Sequence, residues 1–260
     1  MVSVNQDQQE GEMEDVRTST RVLLVSAIIL LVILLTGPLG YKFGLVPLQP
    51  SLVSLLVAMA GGLLVVLAAL VYVVLATRAG LPRNRNLLLV AIVLGVIPAV
   101  IVGPQMSRAG VVPAIHDITT DTDNPPAFVA LKTIRENAPN GAEYGAAEGW
   151  SPETLAATTR EAYPDIQPIV SALSVDSAVQ QAASTLQAMG LEVIDVNPAD
   201  GRIEATATTF WFGFKDDMVI RVVPTADGSR VDIRSMSRVG QSDVGANAAR
   251  IARFTQMFDG

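Results

Sequence analysis

Cysteine is missing from all 260 residues, which removes disulfides, thiol catalysis and thiolate metal sites together. Its absence does not conflict with an exported location, because a domain of this size builds a sufficient core unaided. Histidine occurs once, as His116, whereas metal sites usually bring several ligands with hydrogen-bonded support around them. There is no nucleophile elbow, since Gly149-Trp150-Ser151-Pro152-Glu153 lacks the second glycine. Phosphate-cradling glycine loops and dinucleotide fingerprints are missing too, so no cofactor is expected. The long apolar stretches contain no Asp, Glu, Lys, Arg or His. Intramembrane ionisable groups mark ion and proton pathways, and their absence argues against a transporter.

What is present is dominated by three apolar runs, Val22 to Gly40, Leu52 to Ala76 and Leu87 to Val102. A helix needs about 20 residues to cross a hydrocarbon core, and in lipid only helices or closed barrels satisfy their backbone groups. The second run is a secure span. The first ends at Gly37-Pro38 with interfacial help from Tyr41 and Lys42, and the third carries Pro98 and must borrow flanking polar residues. A cleaved signal peptide needs a basic leading region. Here Glu10, Glu12, Glu14 and Asp15 precede the first run, so a retained span is expected. Arg17 and Arg21 lie before the first span and Lys42 after it. Arg78, Arg83 and Arg85 fill the second loop, and Arg108 follows the third span. The positive-inside rule then places the N-terminus in the cytoplasm and everything after Val102 outside, in a bacterium the periplasm of the inner membrane. Ala58 and Gly62, four apart, suit close helix packing within this chain.

The expected organisation is a polar cytoplasmic tail over 1–21, a three-helix anchor over 22–104, an extended linker over 105–124 and an exoplasmic domain over 125–260. Residues 1–103 carry a net charge of +1 and residues 104–260 a net of −8. Such acidity repels phosphate backbones, so nucleic acid is not an expected partner, and it repels anionic headgroups as well. Pro125-Pro126 opens a short helix to about Glu136, and Ser151-Pro152-Glu153 starts another with Ser as its cap. Val175, Ala178, Val179, Ala182, Ala183, Leu186 and Met189 recur at helical spacing before Gly190.

Four strands follow, Leu191 to Val196, Arg202 to Phe212, Met218 to Val223 and Arg230 to Arg238, with hairpin chemistry at Asn197–Gly201 and Asp227-Gly228. A last helix, Val244 to Phe258, is capped by Asp243. The expected fold class is therefore α+β: three N-terminal transmembrane helices, then a two-layer domain with a four-stranded antiparallel sheet packed on helices.

Several phrases resemble one family. Pro113-Ala114-Ile115-His116-Asp117-Ile118-Thr119-Thr120-Asp121 runs into Asn124-Pro125-Pro126-Ala127-Phe128. Later come Tyr163-Pro164-Asp165 and Trp211-Phe212-Gly213-Phe214-Lys215-Asp216-Asp217 leading to Arg221. Ser237-Arg238-Val239-Gly240, Ser242-Asp243 and Gly245-Ala246-Asn247 close the set. Together they are similar to the bacterial domain-of-unknown-function family 1499 across residues 113–258. That resemblance supplies no established activity and therefore no catalytic residue.

Three groups of side chains carry what chemistry can be read. Phe210, Trp211, Phe212 and Phe214 are four of the chain's thirteen aromatics. They read either as an apolar tip for a bilayer or partner, or as core packing at a strand end. Glu204, Arg221, Asp232 and Arg234 fall on one sheet face, where they hold a polar ligand or form a solvated surface. His116, Asp117 and Asp121, with Asp123 beside them, make the best metal-ligand cluster available. The run from Asp121 fails as a calcium loop, however, because Pro126 and Lys132 stand where Gly and Glu are needed. Asp216 and Asp217, adjacent on a strand, face opposite ways, with a turn and an ion pair to Arg221 expected.

The expected function is a membrane-anchored, exoplasmic binding or assembly module engaging a membrane protein complex or lipid. The alternative is an envelope hydrolase or metal-dependent enzyme using His116 and nearby carboxylates. The sequence leaves the oligomeric state open.

Overall fold

A computed structural model describes residues 15–259; Glu10, Glu12 and Glu14, weighed above, lie outside them. The chain divides into two compact units, one ending at Pro104 and the other beginning at Gln105.

Helices α1 (Thr18–Lys42), α2 (Leu48–Arg78) and α3 (Pro82–Ala109) are each long and apolar enough to cross a membrane, each containing an 18-residue stretch whose mean hydropathy is 2.8, 2.6 and 2.7 in turn. At about 1.5 Å per residue even the shortest exceeds the ~30 Å hydrocarbon thickness. Each runs beyond the apolar stretch that marks it. Pro38 does not end α1, and Pro98 and Pro104 are accommodated inside α3. The helices meet through small side chains. Ala27 packs with Val65 and Ala91, and Ala58 with Leu34 and Val102. Gly62 faces Gly95 so closely that a Cβ at Gly95 would lie 2.9 Å from the Gly62 carbonyl oxygen. The starts of α1 and α3 are tied together by Asn84. Its amide oxygen accepts from Thr20 Oγ1 at 2.8 Å and from the Arg17 backbone N–H at 2.9 Å.

The second unit contains β1 (Asp117–Thr119), α4 (Lys132–Glu136), α5 (Pro152–Ala162), β2 (Ile169–Ser171), α6 (Val175–Ala188), β3 (Glu192–Asn197), β4 (Arg202–Thr208), β5 (Lys215–Thr225), β6 (Gly228–Ser237) and α7 (Ala246–Asp259). One antiparallel sheet runs β1-β6-β5-β4-β3, and β2 pairs separately with β6. It therefore has six strands rather than the four expected. The two additional strands are three residues long, too short to show a period of two. The helix expected from Pro125 forms only as α4, and the expected extended lead-in contains the end of α3 and β1.

Local chemistry explains the frame. Ser151 and Thr154 form a reciprocal capping box at α5, and Ser174 caps α6 by accepting from the Ser177 N–H. Asp243 accepts from the N–H groups of Gly245 and Asn247 at the start of α7. In the β3–β4 turn Gly201 has φ +60°, and a Cβ there would strike the Val222 carbonyl.

Alternation assigns the faces. Ile118, Ile203, Ala205, Met218, Ile220, Val231 and Ile233 pack with Val179, Leu186, Ile251 and Phe254 to form the main core under α6 and α7. Unexpectedly, the opposite face is also covered. A strap formed by residues 120–145, including α4, lies on it through Phe128 and Leu131, which pack on Val219 and Met236.

Candidate functional site

The polar residues of the second face hold that strap. Glu204 is fully buried, and its carboxylate accepts from the backbone N–H groups of Val129, Ala130 and Leu131 at 2.7, 3.0 and 2.8 Å. Arg234, also buried, makes a two-pronged pair with Asp117 at 2.8 and 2.9 Å and donates to the Pro126 and Ala142 carbonyls. Arg221 and Arg230 each donate to both Asp121 and Asp232. Glu204, Asp232 and Arg234 are thus buried, while Arg221 and Arg230 stay partly exposed at the edge of the strap. Alternation reports which residues share a face and is silent on what covers it.

The middle of the strap is fixed by Arg135, which is fully buried. Its guanidinium donates to Asp217 at 2.7 Å and to the carbonyls of Met236, Ser237, Asn140 and Gly141. Asp217 also accepts from Arg238 at 2.8 Å and Thr206 at 2.7 Å. Burial alone would raise its carboxyl. The hydrogen bonds from Arg238 and Thr206, with the charges of Arg135 and Arg238, outweigh burial and hold it below the ordinary carboxylate value. Asp216 turns to the other face and pairs with Arg250 at 2.6 Å. The expected pair between these aspartates and Arg221 does not form, and both lie within β5 rather than in a turn. Sequence spacing gave no sign of Arg135, which reaches Asp217 from 82 positions away.

The metal-ligand cluster is not assembled. Asp117 is engaged by Arg234, Asp121 by Arg221 and Arg230, and the His116 ring meets the Gln241 carbonyl. Among the described residues no three His, Asp or Glu side chains gather within reach of one ion. No Ser or Thr hydroxyl bonds to the His116 ring among those residues either; Nδ1 lies 3.3 Å from the Gln241 carbonyl oxygen.

The four aromatics stand outside the buried core clusters. They occupy the tip between β4 and β5, beyond the end of β4, while the longest strand is β5. The Thr209 N–H donates to the Phe214 carbonyl at 2.9 Å, and the Phe214 N–H returns to Thr209 Oγ1 at 2.9 Å. Gly213 supplies the left-handed turn at φ +67°. Phe212 stacks on Phe214 at 4.7 Å and both are half-buried. Phe210 and Trp211 meet edge to face at 5.6 Å and remain 75% and 41% exposed.

A cleft of about 480 Å³ opens where the strap meets the segment before β1. His116, Asn140, Glu143, Glu148, Trp150, Met236 and Gln241 are among the residues lining it. Residues 138–149 lie between the helices expected from Pro125 and from Ser151, and no function is read from them in the sequence. Their length as an irregular connection was the available signal, since long loops on rigid frames carry function.

Such a frame, a strapped antiparallel sheet backed by two helices and preceded by membrane-length helices, defines a membrane-anchored α+β module. Residues 117–258, more than half of the chain, match the family described as Protein of unknown function (DUF1499). The chain belongs to that family. No curated protein matches it.

Proposed function

We propose that this protein is a membrane-anchored binding module that displays its α+β domain on the exoplasmic side, periplasmic in a bacterium. In this reading the Phe210–Phe214 tip engages a zwitterionic lipid surface. The observation that carries it is the exposure of Phe210 and Trp211 on a closed turn whose base is made rigid by Phe212, Phe214 and Gly213. Large aromatics left exposed at a hairpin tip have a lower free energy at a membrane interface than in water, and Trp favours the headgroup level. The net charge of −8 over residues 104–260 disfavours anionic headgroups. The excess of Arg at the start of α1 (Arg17, Arg21) and at the facing ends of α2 and α3 (Arg78, Arg83, Arg85) supports the orientation.

The test is fluorescence of the full chain in nanodiscs of phosphatidylcholine with brominated acyl chains, in a Trp150→Phe background so that Trp211 alone reports. Quenching of Trp211, lost when Phe210 is changed to Ser, is the expected result. Unquenched Trp211 emission at the solvent-exposed wavelength would overturn the lipid reading. Crosslinking from position 211 to another membrane protein would then move the tip's role to protein assembly.

A further inference from the structure

His116 holds one ring nitrogen and offers the other. The side chain is 5% exposed, and Nδ1 lies 3.3 Å from the Gln241 carbonyl oxygen. A carbonyl accepts and never donates, so the proton of the neutral ring sits on Nδ1 and Nε2 presents a lone pair. Nε2 has no hydrogen-bond partner among the described residues, and it is not a sealed, unsatisfied atom of the interior. The histidine lines the cleft of about 480 Å³, a volume within the range of small-molecule sites.

The remaining lining is one-sided in chemistry. Glu143 and Glu148 contribute carboxylates, Trp150 an aromatic ring and Met236 a thioether, while no Lys or Arg lines the cleft. The neighbouring arginines are engaged, Arg135 by Asp217 and Arg234 by Asp117, and Arg234 also donates to the Met236 sulfur at 3.4 Å. The Asn140 amide N–H groups are likewise spent on the Ser237 and Gly240 carbonyls. Apart from the Gln241 amide, what faces the cleft is therefore acceptors, negative charge and a π-surface, the complement of an ammonium group on a short apolar body.

The geometry points to a binding site for a primary-ammonium ligand in this cleft, with His116 Nε2 accepting one N–H. Glu143 and Glu148 supply the countercharge, and Trp150 packs on the alkyl part. This site shares no lining residue with the aromatic tip, and the proposal stands or falls independently of the lipid reading.

The test uses the full chain in phosphatidylcholine nanodiscs with Trp211 changed to Phe, so that Trp150 is the only reporter. Titration with n-butylammonium chloride is expected to saturate with a Kd on the order of 1 mM, the affinity so small a ligand reaches. Glu143→Gln with Glu148→Gln, both on exposed side chains, should weaken binding about tenfold. Tetramethylammonium, which keeps the charge and lacks N–H donors, should bind more weakly than butylammonium, and His116→Gln should narrow that difference. A response that does not saturate, equal binding of butyrate, or an unchanged Kd in the double Glu variant would each overturn the proposal. Repeating the titration with phosphatidylethanolamine in the nanodiscs identifies the source of the amine. A weakened apparent affinity marks competition by a headgroup, and an unchanged one marks a soluble amine.

Discussion

Replacing Arg135 with Met tests whether the strap is held by its buried ionic centre. The guanidinium is fully buried and spends its donors on Asp217 and four backbone carbonyls. Methionine fills part of the volume but donates nothing. Asp217 keeps Arg238 and Thr206, so its charge is not left bare. The carbonyls of Met236, Asn140 and Gly141 do lose the guanidinium, at roughly 1 kcal/mol each, while Ser237 keeps the Asn140 amide. The expected cost is about 3–5 kcal/mol, the range for breaking a buried ion pair from one side. Read by Trp150 fluorescence during urea unfolding of the full chain in detergent, that is a midpoint drop of about 2 M. The control is Arg160→Ala, which removes a pair to Asp123 at 3.5 Å whose partners are 55% and 84% exposed. It should shift the midpoint hardly at all. If the two variants unfolded at the same urea concentration, the strap would owe its position to Phe128 and Leu131 and not to Arg135.

Glu204→Gln should cost about 2–3 kcal/mol in the same assay, because an amide cannot accept on both atoms from three N–H groups and turns a donor toward them. The depressed Asp217 carboxyl contributes stability that is fully present above its unfolded value of about 4 and is lost as pH falls through its lower folded value. Midpoints measured from about pH 6 to about pH 3 should therefore fall at the acid end, and Asp217→Asn should flatten that limb. Asp243 works oppositely: burial raises its carboxyl despite the Asn247 and Gly245 N–H groups, so stability rises as pH falls from its raised folded value toward about 4. In the membrane unit, Gly62→Val puts a branched side chain against Gly95 and should destabilise α2–α3 packing by about 1–3 kcal/mol, seen as earlier loss of helicity on SDS titration.

The membrane-length helices were legible in the sequence because hydrophobicity over some 20 residues is a local property that no distant contact has to supply. The same holds for the caps of α5 and α7, for the hairpin residues, and for the core side of β4 and β6, each set by neighbours a few positions away. The short strands β1 and β2 were not legible, since three residues pair with β6 only after the rest of the sheet exists to receive them. Nor was the fate of the charged face. Glu204, Asp232 and Arg234 alternate as they would on a solvated sheet, and only the arrival of the strap, 73 to 108 positions away, with Asp117 of β1, makes them buried partners. The tertiary structure also decided that the aromatic cluster is a tip and not core, and that His116 borders a cleft with Glu143, Glu148 and Trp150. The sequence determined which segments are apolar, helical or extended, because those preferences are paid locally. Which charges meet, and which ring nitrogen is left open to a ligand, depended on contacts between segments far apart in the chain.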